Sequence, residues 1–186
     1  MISTEEKKNI VINRVNELIE QFKQKKGSSA KHTISFPDVL FTIVGRVAGN
    51  CSFDNSTGTG VLNFNTVLME ENWETFIEHT VSHEVAHFCT NIYFGFIYTS
   101  SGRRQSHGKD WKNMMRFFGV KEISRCHKYR LDNVKQTRKT KRFLYECNCG
   151  YQHQIATPTH NKIRYHGQKR ICKTCCDEIR FVKRIK

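Results

Sequence analysis

Residues 73–90 read WETFIEHTVSHEVAHFCT. This stretch predicts the helix on which the expected fold is built. Its apolar residues recur at helical intervals and form one predicted stripe: Ile77, Val81, Val85 and Phe88. Each residue advances about 100° around a helix, so His83 and His87 share a different face. The stretch therefore predicts a helix that packs with one face and presents two imidazoles on another.

His83, Glu84 and His87 form an H-E-x-x-H pattern on this helix. Two histidines four residues apart can bind one metal ion, and Glu84 lies beside them. There it can take a proton from a bound water and return it to a leaving amine. Zinc suits such a set, because three protein ligands leave a fourth position for water. The alternative is two histidines that cap or pack, with Glu84 in solvent.

A third ligand must come from elsewhere in the chain. Three nearby histidines are candidates, with Glu78 and Asp110 as minor ones: His79, His107 and His127. His79 lies on the same helix, and three ligands along one straight helix cannot easily surround one ion. His107 follows a loop and has small neighbours, Ser106 and Gly108, so the chain can fold back there. We therefore favour His107.

The flanking segments predict an α+β body. Ser3 and Glu6 have capping-box spacing before a predicted amphipathic helix over 4–26. Residues 33–65 look rich in strands, with candidates at Val39–Val44 and Val61–Asn65, and the second is the predicted sheet edge for an extended substrate. A loop over 95–106 precedes a second predicted helix, Gly108–Phe118. Four residues form its apolar side: Trp111, Met114, Met115 and Phe118.

Five of the eight cysteines follow residue 146. Four of them form two separated pairs, which is the plan of a zinc ribbon built on short strands: Cys147, Cys149, Cys172 and Cys175. A module of about 40 residues can hardly build a sufficient hydrophobic core, so a structural zinc would stabilise it. His153 could replace Cys149, and Cys176 could compete with Cys175. Reduced free thiols are the alternative. The other three cysteines are expected to be ordinary, mostly buried residues: Cys51, Cys89 and Cys126.

The net charge of +14 is uneven along the chain. Residues 1–120 carry 13 Lys/Arg and 12 Asp/Glu, whereas residues 121–186 carry 18 and 5. Such asymmetry indicates that the chain binds a polyanion, and a nucleic acid such as DNA is the first candidate. The alternative is that the basic residues form a solvated surface that aids solubility. Five basic residues around the ribbon are the candidate contacts: Lys162, Arg164, Lys169, Arg170 and Lys173. Aromatic residues among them could stack on bases or pack the ribbon: Tyr151, Tyr165 and Phe181. No base-reading helix is evident, so little sequence preference is expected.

The organisation expected from these features is a body over 1–120, a basic connector over 121–142 and a zinc ribbon over 143–186. No apolar run approaches the ~20 residues that span a bilayer. The N-terminal residues 1–8 are polar and lead into no signal-like core. We expect a cytoplasmic protein, or one located with DNA in a nucleoid or nucleus, that is not secreted and has no membrane partner.

Several stretches, in one order from about residue 36 to 182, resemble the SprT family. They are the stretch 62–72, the H-E-x-x-H helix, Phe94-Gly95, the run 107–115 and the two cysteine pairs with His153 and His160. The resemblance implies a minigluzincin-like metallopeptidase with its third ligand at the position of His107. Eukaryotic relatives of the Spartan type cleave proteins crosslinked to DNA. One departure is a longer loop here, residues 99–104, which could act as a lid or contact DNA.

The sequence thus predicts a zinc-dependent endopeptidase acting on DNA-associated or DNA-crosslinked proteins. It would hold one catalytic zinc at His83, His87 and His107, with Glu84 as base, and one structural zinc in the ribbon. The alternative is a non-catalytic, nucleic-acid-binding zinc protein, an adaptor in transcription or repair. An intact Glu84 favours the enzyme, since a purely structural site has no use for a base. The motif also leaves open a hydrolase that acts on something other than protein.

Overall fold

The computed structural model describes residues 2–26, 29–134 and 141–185 of the 186-residue chain. It divides into two compact units, Met1–Gln136 and Thr137–Lys186. The first unit extends beyond residue 120, because Val120, Tyr129 and Val134 belong to its hydrophobic core or pack against it. Part of the predicted connector, residues 135–140, lies outside the described residues.

Helix α1, Thr4–Lys26, opens the first unit with the bounds predicted for it. The capping box is confirmed: Ser3 Oγ accepts a hydrogen bond from the Glu6 amide at 3.2 Å, and Glu6 Oε2 accepts one from the Ser3 amide at 2.7 Å. The buried side of the helix carries Val11, Val15, Leu18, Ile19 and Phe22. The α1 stripe therefore packs on the core, as its spacing predicts.

A three-stranded sheet follows: β1 (Asp38–Leu40), β2 (Gly49–Asp54) and β3 (Thr59–Phe64). The spatial order is β1-β3-β2, with β1 parallel and β2 antiparallel to β3. The prediction that Val61–Asn65 forms a sheet edge is therefore wrong, because β3 is the central strand. A tight β2–β3 turn pairs β2 with one side of β3, while β1 pairs with the other. Within the described residues the edge nearest the histidine helix is β2.

The predicted helix over 73–90 is a succession of helical segments. After α2 (Thr66–Glu71) come α3 (Trp73–Thr75), a π-helical turn (Phe76–Val81) and α4 (Ser82–Phe94). Both Phe76 and Ile77 lie in this wider turn, and Phe76 is fully buried while Ile77 is only partly buried. Helix α5, Lys109–Phe117, matches the second predicted helix, and its four predicted core residues are buried.

Asn65 joins the sheet to the helices. Its Oδ1 accepts hydrogen bonds from the amides of Val67 and Leu68, which caps α2. Its Nδ2 donates to the carbonyls of Gly45 (2.8 Å) and Val47 (3.0 Å). One buried side chain thus fixes both the helix start and the loop that leads into β2.

The second unit holds an antiparallel sheet of β4 (Arg142–Glu146), β5 (Gln152–Ala156) and β6 (Arg180–Ile185), in the order β5-β4-β6. The expectation of strands and turns alone misses helix α6, Thr157–Tyr165. Pro158 in its first turn starts this helix. His160 anchors it, since Nδ1 lies 3.0 Å from the Tyr145 hydroxyl and the ring stacks on Phe143 at 3.6 Å.

The α+β class is confirmed, with the N-terminal helix, the small sheets and a cysteine cluster compatible with a zinc ribbon. No helix within residues 2–26, 29–134 and 141–185 is long and apolar enough to cross a membrane.

Candidate metal centres

Three imidazoles converge in the first unit. Helix α4 supplies His83 and His87 one turn apart, and His107 comes from the residues just before α5. Their Nε2 atoms lie 3.1 Å (His83–His107), 3.2 Å (His83–His87) and 3.0 Å (His87–His107) apart. Nitrogens bound tetrahedrally to one zinc ion, at ~2.0–2.1 Å each, would lie about 3.3 Å from one another. The triangle has the dimensions of a zinc site.

The protonation of these imidazoles also fits a metal. Burial, followed by the charge of His107, lowers the pKa of His83 to about 4. Burial, followed by the charge of His83, lowers the pKa of His87 to about 2. Burial also lowers the pKa of His107. All three rings are therefore neutral at pH 7, which is the form that binds a metal. His79 and His127, the other candidates for third ligand, stay outside this group.

Trp111 supports the three imidazoles from one side. Its ring centroid lies 4.7 Å from His83, 5.4 Å from His87 and 4.7 Å from His107, and its side chain is 1% exposed. The helical spacing predicts Trp111 on an apolar helix face and does not predict this role. Its spacing, four residues after His107, is the signal that could have revealed it. The indole restricts the ring orientations that convergence on one ion requires.

Glu84 lies beside the triangle in a buried position, 6% exposed. Its burial raises the pKa of the carboxyl to about 8. The side chain packs against the backbone of Gly49 at the start of β2. A Cβ at position 49 would lie 2.7 Å from Glu84 Cγ and 2.8 Å from Oε1. Only glycine leaves room for the carboxylate there, a requirement that no sequence pattern marks.

A cleft of about 680 Å³ opens next to His83 and Glu84. The loop into β2 and residues 72–80 form two of its sides, and residues 122–129 form the third. Tyr129 ties this third side to the helix: its hydroxyl donates to the Thr75 carbonyl (3.1 Å) and lies 2.7 Å from Thr80 Oγ1. The sequence predicts that residues 122–129 belong to a connector. Their place in the cleft wall was therefore not predicted.

The long loop before His107 is an ordered hairpin. The amide of Thr99 donates to the Arg103 carbonyl at 2.8 Å, and that of Gln105 to the Ile97 carbonyl at 2.8 Å. The Arg104 guanidinium lies 3.8 Å from the centre of the Phe96 ring. A role for residues 99–104 as a lid or a DNA contact stays a prediction.

Four cysteines of the second unit converge as the sequence spacing predicts: Cys147, Cys149, Cys172 and Cys175. Their sulfur atoms all lie within 4.8 Å of one another. Backbone N–H groups of Cys175 and Thr174 lower the pKa of Cys172 to about 5, which favours the thiolate that binds metal. Hydrogen bonding to Cys147 raises the pKa of Cys149 to about 12, as expected when several thiols share one site. Four sulfurs at this spacing fit zinc.

Each cysteine pair is followed by a residue in the left-handed conformation, Gly150 (φ 78) and Cys176 (φ 58). The amide of Gly150 donates to the Cys147 carbonyl, and that of Cys176 to the Cys172 carbonyl, both at 3.0 Å. The first hydrogen bond spans three residues and the second spans four, and each turn closes on a residue with positive φ. Cys176 is thus a turn residue outside the sulfur group. His153 is also outside that group, and its buried Nε2 has no hydrogen-bond partner among the described residues.

The three remaining cysteines differ in burial. Cys89 is buried and Cys51 half-buried, but Cys126 is exposed on the wall of the cleft, so its expected burial is wrong. In the short stretch around Cys126, Ser124 Oγ donates to the Cys126 carbonyl at 2.7 Å.

The five candidate DNA contacts are all exposed. Lys162 and Arg164 lie on α6, and Lys173 lies between two cluster cysteines. Lys169 is less available, since its Nζ lies 3.4 Å from Glu178 Oε2. Among the aromatics, Tyr165 is 75% exposed, whereas Phe181 packs against Phe143, Tyr145 and His160.

Comparison with known proteins is consistent with these two sites. The model of the SprT-like family matches residues 15–139. The Protein SprT of Pseudomonas putida strain F1 is 32% identical over 164 residues, which cover 87% of this chain and 90% of that protein. The Protein SprT of Pseudomonas savastanoi pv. phaseolicola is 31% identical over 170 residues, 90% and 94% of the two chains. No solved structure gives a significant match.

Proposed function

This chain belongs to the SprT-like family, and on that premise we propose that it is a zinc-dependent endopeptidase acting on proteins bound or crosslinked to DNA. The observation that carries the proposal is the triangle of His83, His87 and His107 beside a buried glutamate. Three neutral imidazoles leave one position open on a bound ion, and a carboxylate next to that position has a catalytic use only if water reacts there.

Glu84 is the proposed general base. Its raised pKa reflects burial alone, and a cation held by the adjacent imidazoles would favour the carboxylate form. The carboxylate then accepts a proton from the attacking water and passes it to the departing amine nitrogen. Zinc, when bound, polarises the scissile carbonyl and increases the acidity of water. Gly49 holds the Glu84 side chain in place, and Trp111 fixes the rings of the ligands.

The substrate is proposed to lie along β2. This strand is one of the two edges of the β1-β3-β2 sheet, the one nearer α4, and its first residue packs against Glu84. An extended peptide can add to such an edge through main-chain hydrogen bonds, which select backbone rather than side chains. A peptide in this position would pass the triangle of imidazoles without needing a particular sequence.

The DNA part of the proposal rests on charge. Residues 141–186 carry 11 Lys/Arg and 3 Asp/Glu, and the exposed basic side chains surround the cysteine cluster. Such residues neutralise phosphates and release counterions, so binding should weaken steeply with salt. The exposed Tyr165 is available to stack on an unpaired base. Little sequence preference is expected.

Glu84→Gln tests the peptidase proposal. The amide keeps the shape of the side chain but cannot accept the proton, so zinc content and fold should be retained while cleavage falls by ~10²–10⁴. The assay is mass spectrometry of the protein incubated with a DNA-crosslinked protein and with the same protein free of DNA. Cleavage by the variant at the wild-type rate would refute the proposed mechanism. Two equally inactive proteins would favour the adaptor alternative.

A charge-matched pair of variants tests DNA binding. Replacing Lys162, Arg170 and Lys173 with Gln should weaken binding to single-stranded DNA and reduce the dependence of log affinity on log salt by about 2–3. Replacing Lys23, Lys25 and Lys26 of α1 with Gln removes the same charge elsewhere and should change the slope by less than about 1. Equal effects of the two sets would mean that net charge, not the ribbon surface, governs binding.

A further inference from the structure

His127 lies on the cleft wall formed by residues 122–129, in the same cleft that His83 and Glu84 line. It is half-buried, and its charge is close enough to His83 to lower the pKa of that ring. Neither the ligand set nor the proposed proton transfer uses His127. A half-buried imidazole that lines the proposed reaction site without binding the ion therefore needs a separate explanation.

The orientation of the His127 ring is fixed by two contacts with Tyr129. The rings stack with centroids 4.4 Å apart and planes 22° apart. The Tyr129 amide donates to His127 Nδ1 at 3.4 Å. A neutral imidazole whose Nδ1 accepts carries its proton on Nε2. Burial lowers the pKa of His127, with the Arg46 carbonyl opposing that shift only in part, so the neutral ring is the form at pH 7. His127 thus holds one N–H donor at the cleft.

Tyr129 in turn is held firmly. Its hydroxyl donates its one proton to the Thr75 carbonyl at 3.1 Å and accepts from Thr80 Oγ1 at 2.7 Å. The amide of Arg130 donates to Asn72 Oδ1 at 3.1 Å, which ties the next residue to the same helical segment. The segment that carries His127 is therefore anchored to the helix that leads into His83.

Peptide hydrolysis places negative charge on the scissile carbonyl oxygen, and donors aimed at that oxygen are among the strongest contributions to rate. We propose that the Nε2–H of His127 is such a donor: it hydrogen-bonds the carbonyl oxygen of the scissile peptide as that oxygen becomes charged. This role rests on the proposed peptidase function. His127 would be a catalytic residue that forms its strongest contact only in the transition state, when the substrate oxygen replaces the Arg46 carbonyl as its acceptor.

The neighbouring groups are less suited to this role. The Tyr129 hydroxyl is held by two partners, the Thr75 carbonyl and Thr80 Oγ1, and would lose both on turning to a substrate. The His127 N–H, by contrast, has the Arg46 carbonyl alone to exchange in the described parts of the chain. Arg125 is exposed, and its guanidinium has no hydrogen bond within the described residues that would fix its position. His79 lines the same cleft, but no hydrogen bond or ring contact orients it in the part of the chain that the structure describes.

The test is His127→Phe in the full-length, zinc-loaded protein, since phenylalanine keeps the stack on Tyr129 and removes the donor. We expect kcat for a peptide substrate to fall by ~10²–10³ while KM changes by less than about threefold, because the bond forms in the transition state. Zinc content should be unchanged. His79→Phe, the matched control, should change kcat by less than about threefold.

A second measurement does not need turnover. A phosphinic peptide, whose tetrahedral phosphorus resembles the reacting carbon, should bind His127→Phe ~10²–10³-fold more weakly than wild type by calorimetry. An unmodified peptide should bind the two proteins equally when both carry Glu84→Gln. Equal phosphinate affinity for wild type and His127→Phe would overturn the assignment, as would a loss seen with Arg125→Gln instead. If the wild type cleaves no peptide, the peptidase proposal and the role that rests on it both fail; if the wild type cleaves peptide and the two phosphinate affinities are equal, only the role of His127 fails.

Discussion

Gly49→Ala should impair catalysis through a single contact. The added Cβ would lie 2.7 Å from Glu84 Cγ and 2.8 Å from Oε1, against 3.4–4 Å for an ordinary contact. The backbone accepts the change, because Gly49 is not among the glycines with positive φ. The Glu84 side chain must therefore move, and since it is 6% exposed it has little free space.

The displacement sets the size of the effect. Restoring ordinary contact requires a shift of roughly 0.5–1 Å, and a misplacement of about 1 Å can cost ~10²-fold in rate. We expect kcat/KM to fall ~10–100-fold, which corresponds to about 1.4–2.7 kcal/mol of transition-state stabilisation. Zinc content should not change, because the three atoms nearest to the new methyl group all belong to Glu84 and none to an imidazole.

A double-mutant cycle on stability isolates this contact. In the wild-type background, the crowding should lower the free energy of unfolding by about 1–2 kcal/mol. In a Glu84→Ala background there is no Cγ to meet, and Gly49→Ala should be neutral or stabilise by ~0.4–1 kcal/mol through the unfolded state. Urea unfolding of the four proteins measures the coupling. An equal cost in both backgrounds, or wild-type kcat/KM for Gly49→Ala, would refute the reasoning.

Elemental analysis should find two zinc ions per chain, with His83→Ala losing one and Cys172→Ser losing the other. In chelator-treated protein, the lowered pKa values of His83 and His87 stabilise the fold above pH 6.5, and this is lost as the pH falls toward 4. The loss should be about 3 kcal/mol for His83 alone, and urea titrations of His83→Gln should lack that part. Asn65→Ala removes a helix cap and leaves two carbonyls without their donor, so denaturant unfolding should show a loss of about 2–4 kcal/mol.

The features that the sequence predicts well are those encoded by local spacing. The capping box of Ser3 and Glu6 and the stripe of α1 involve residues only three or four apart, and both are found. The i, i+4 spacing of His83 and His87 is likewise a property of any helix. The π-helical turn before them was not predictable in this way, because Phe76 and Ile77 are both apolar and either could face the core.

Contacts between residues far apart in the sequence could not be predicted from local spacing. Glu84 meets Gly49 across 35 residues, and glycine in a predicted β region carries no mark of the side chain that needs the space. Tyr129 reaches Thr75 and Thr80 across 54 and 49 residues. Ile123, Tyr129 and Leu131 of that segment pack against the core, but their spacing is neither that of a helix nor that of a strand, so the sequence resembles a connector.

Because Tyr129 belongs to the first unit, part of the positive charge that follows residue 120 belongs to that unit as well. Residues 121–134 carry 4 Lys/Arg and 2 Asp/Glu, and this stretch belongs to the first compact unit. A chain ended at residue 120 would lack Tyr129 and His127 together with part of the basic surface. A loss of cleavage by such a chain would therefore follow from the missing cleft wall, even if DNA had no part in the reaction. A chain ended at residue 136 keeps the cleft intact. If it cleaves a free peptide at the full rate but a DNA-crosslinked protein slowly, the second unit recruits substrate; if both rates fall alike, it acts on the fold or the chemistry instead.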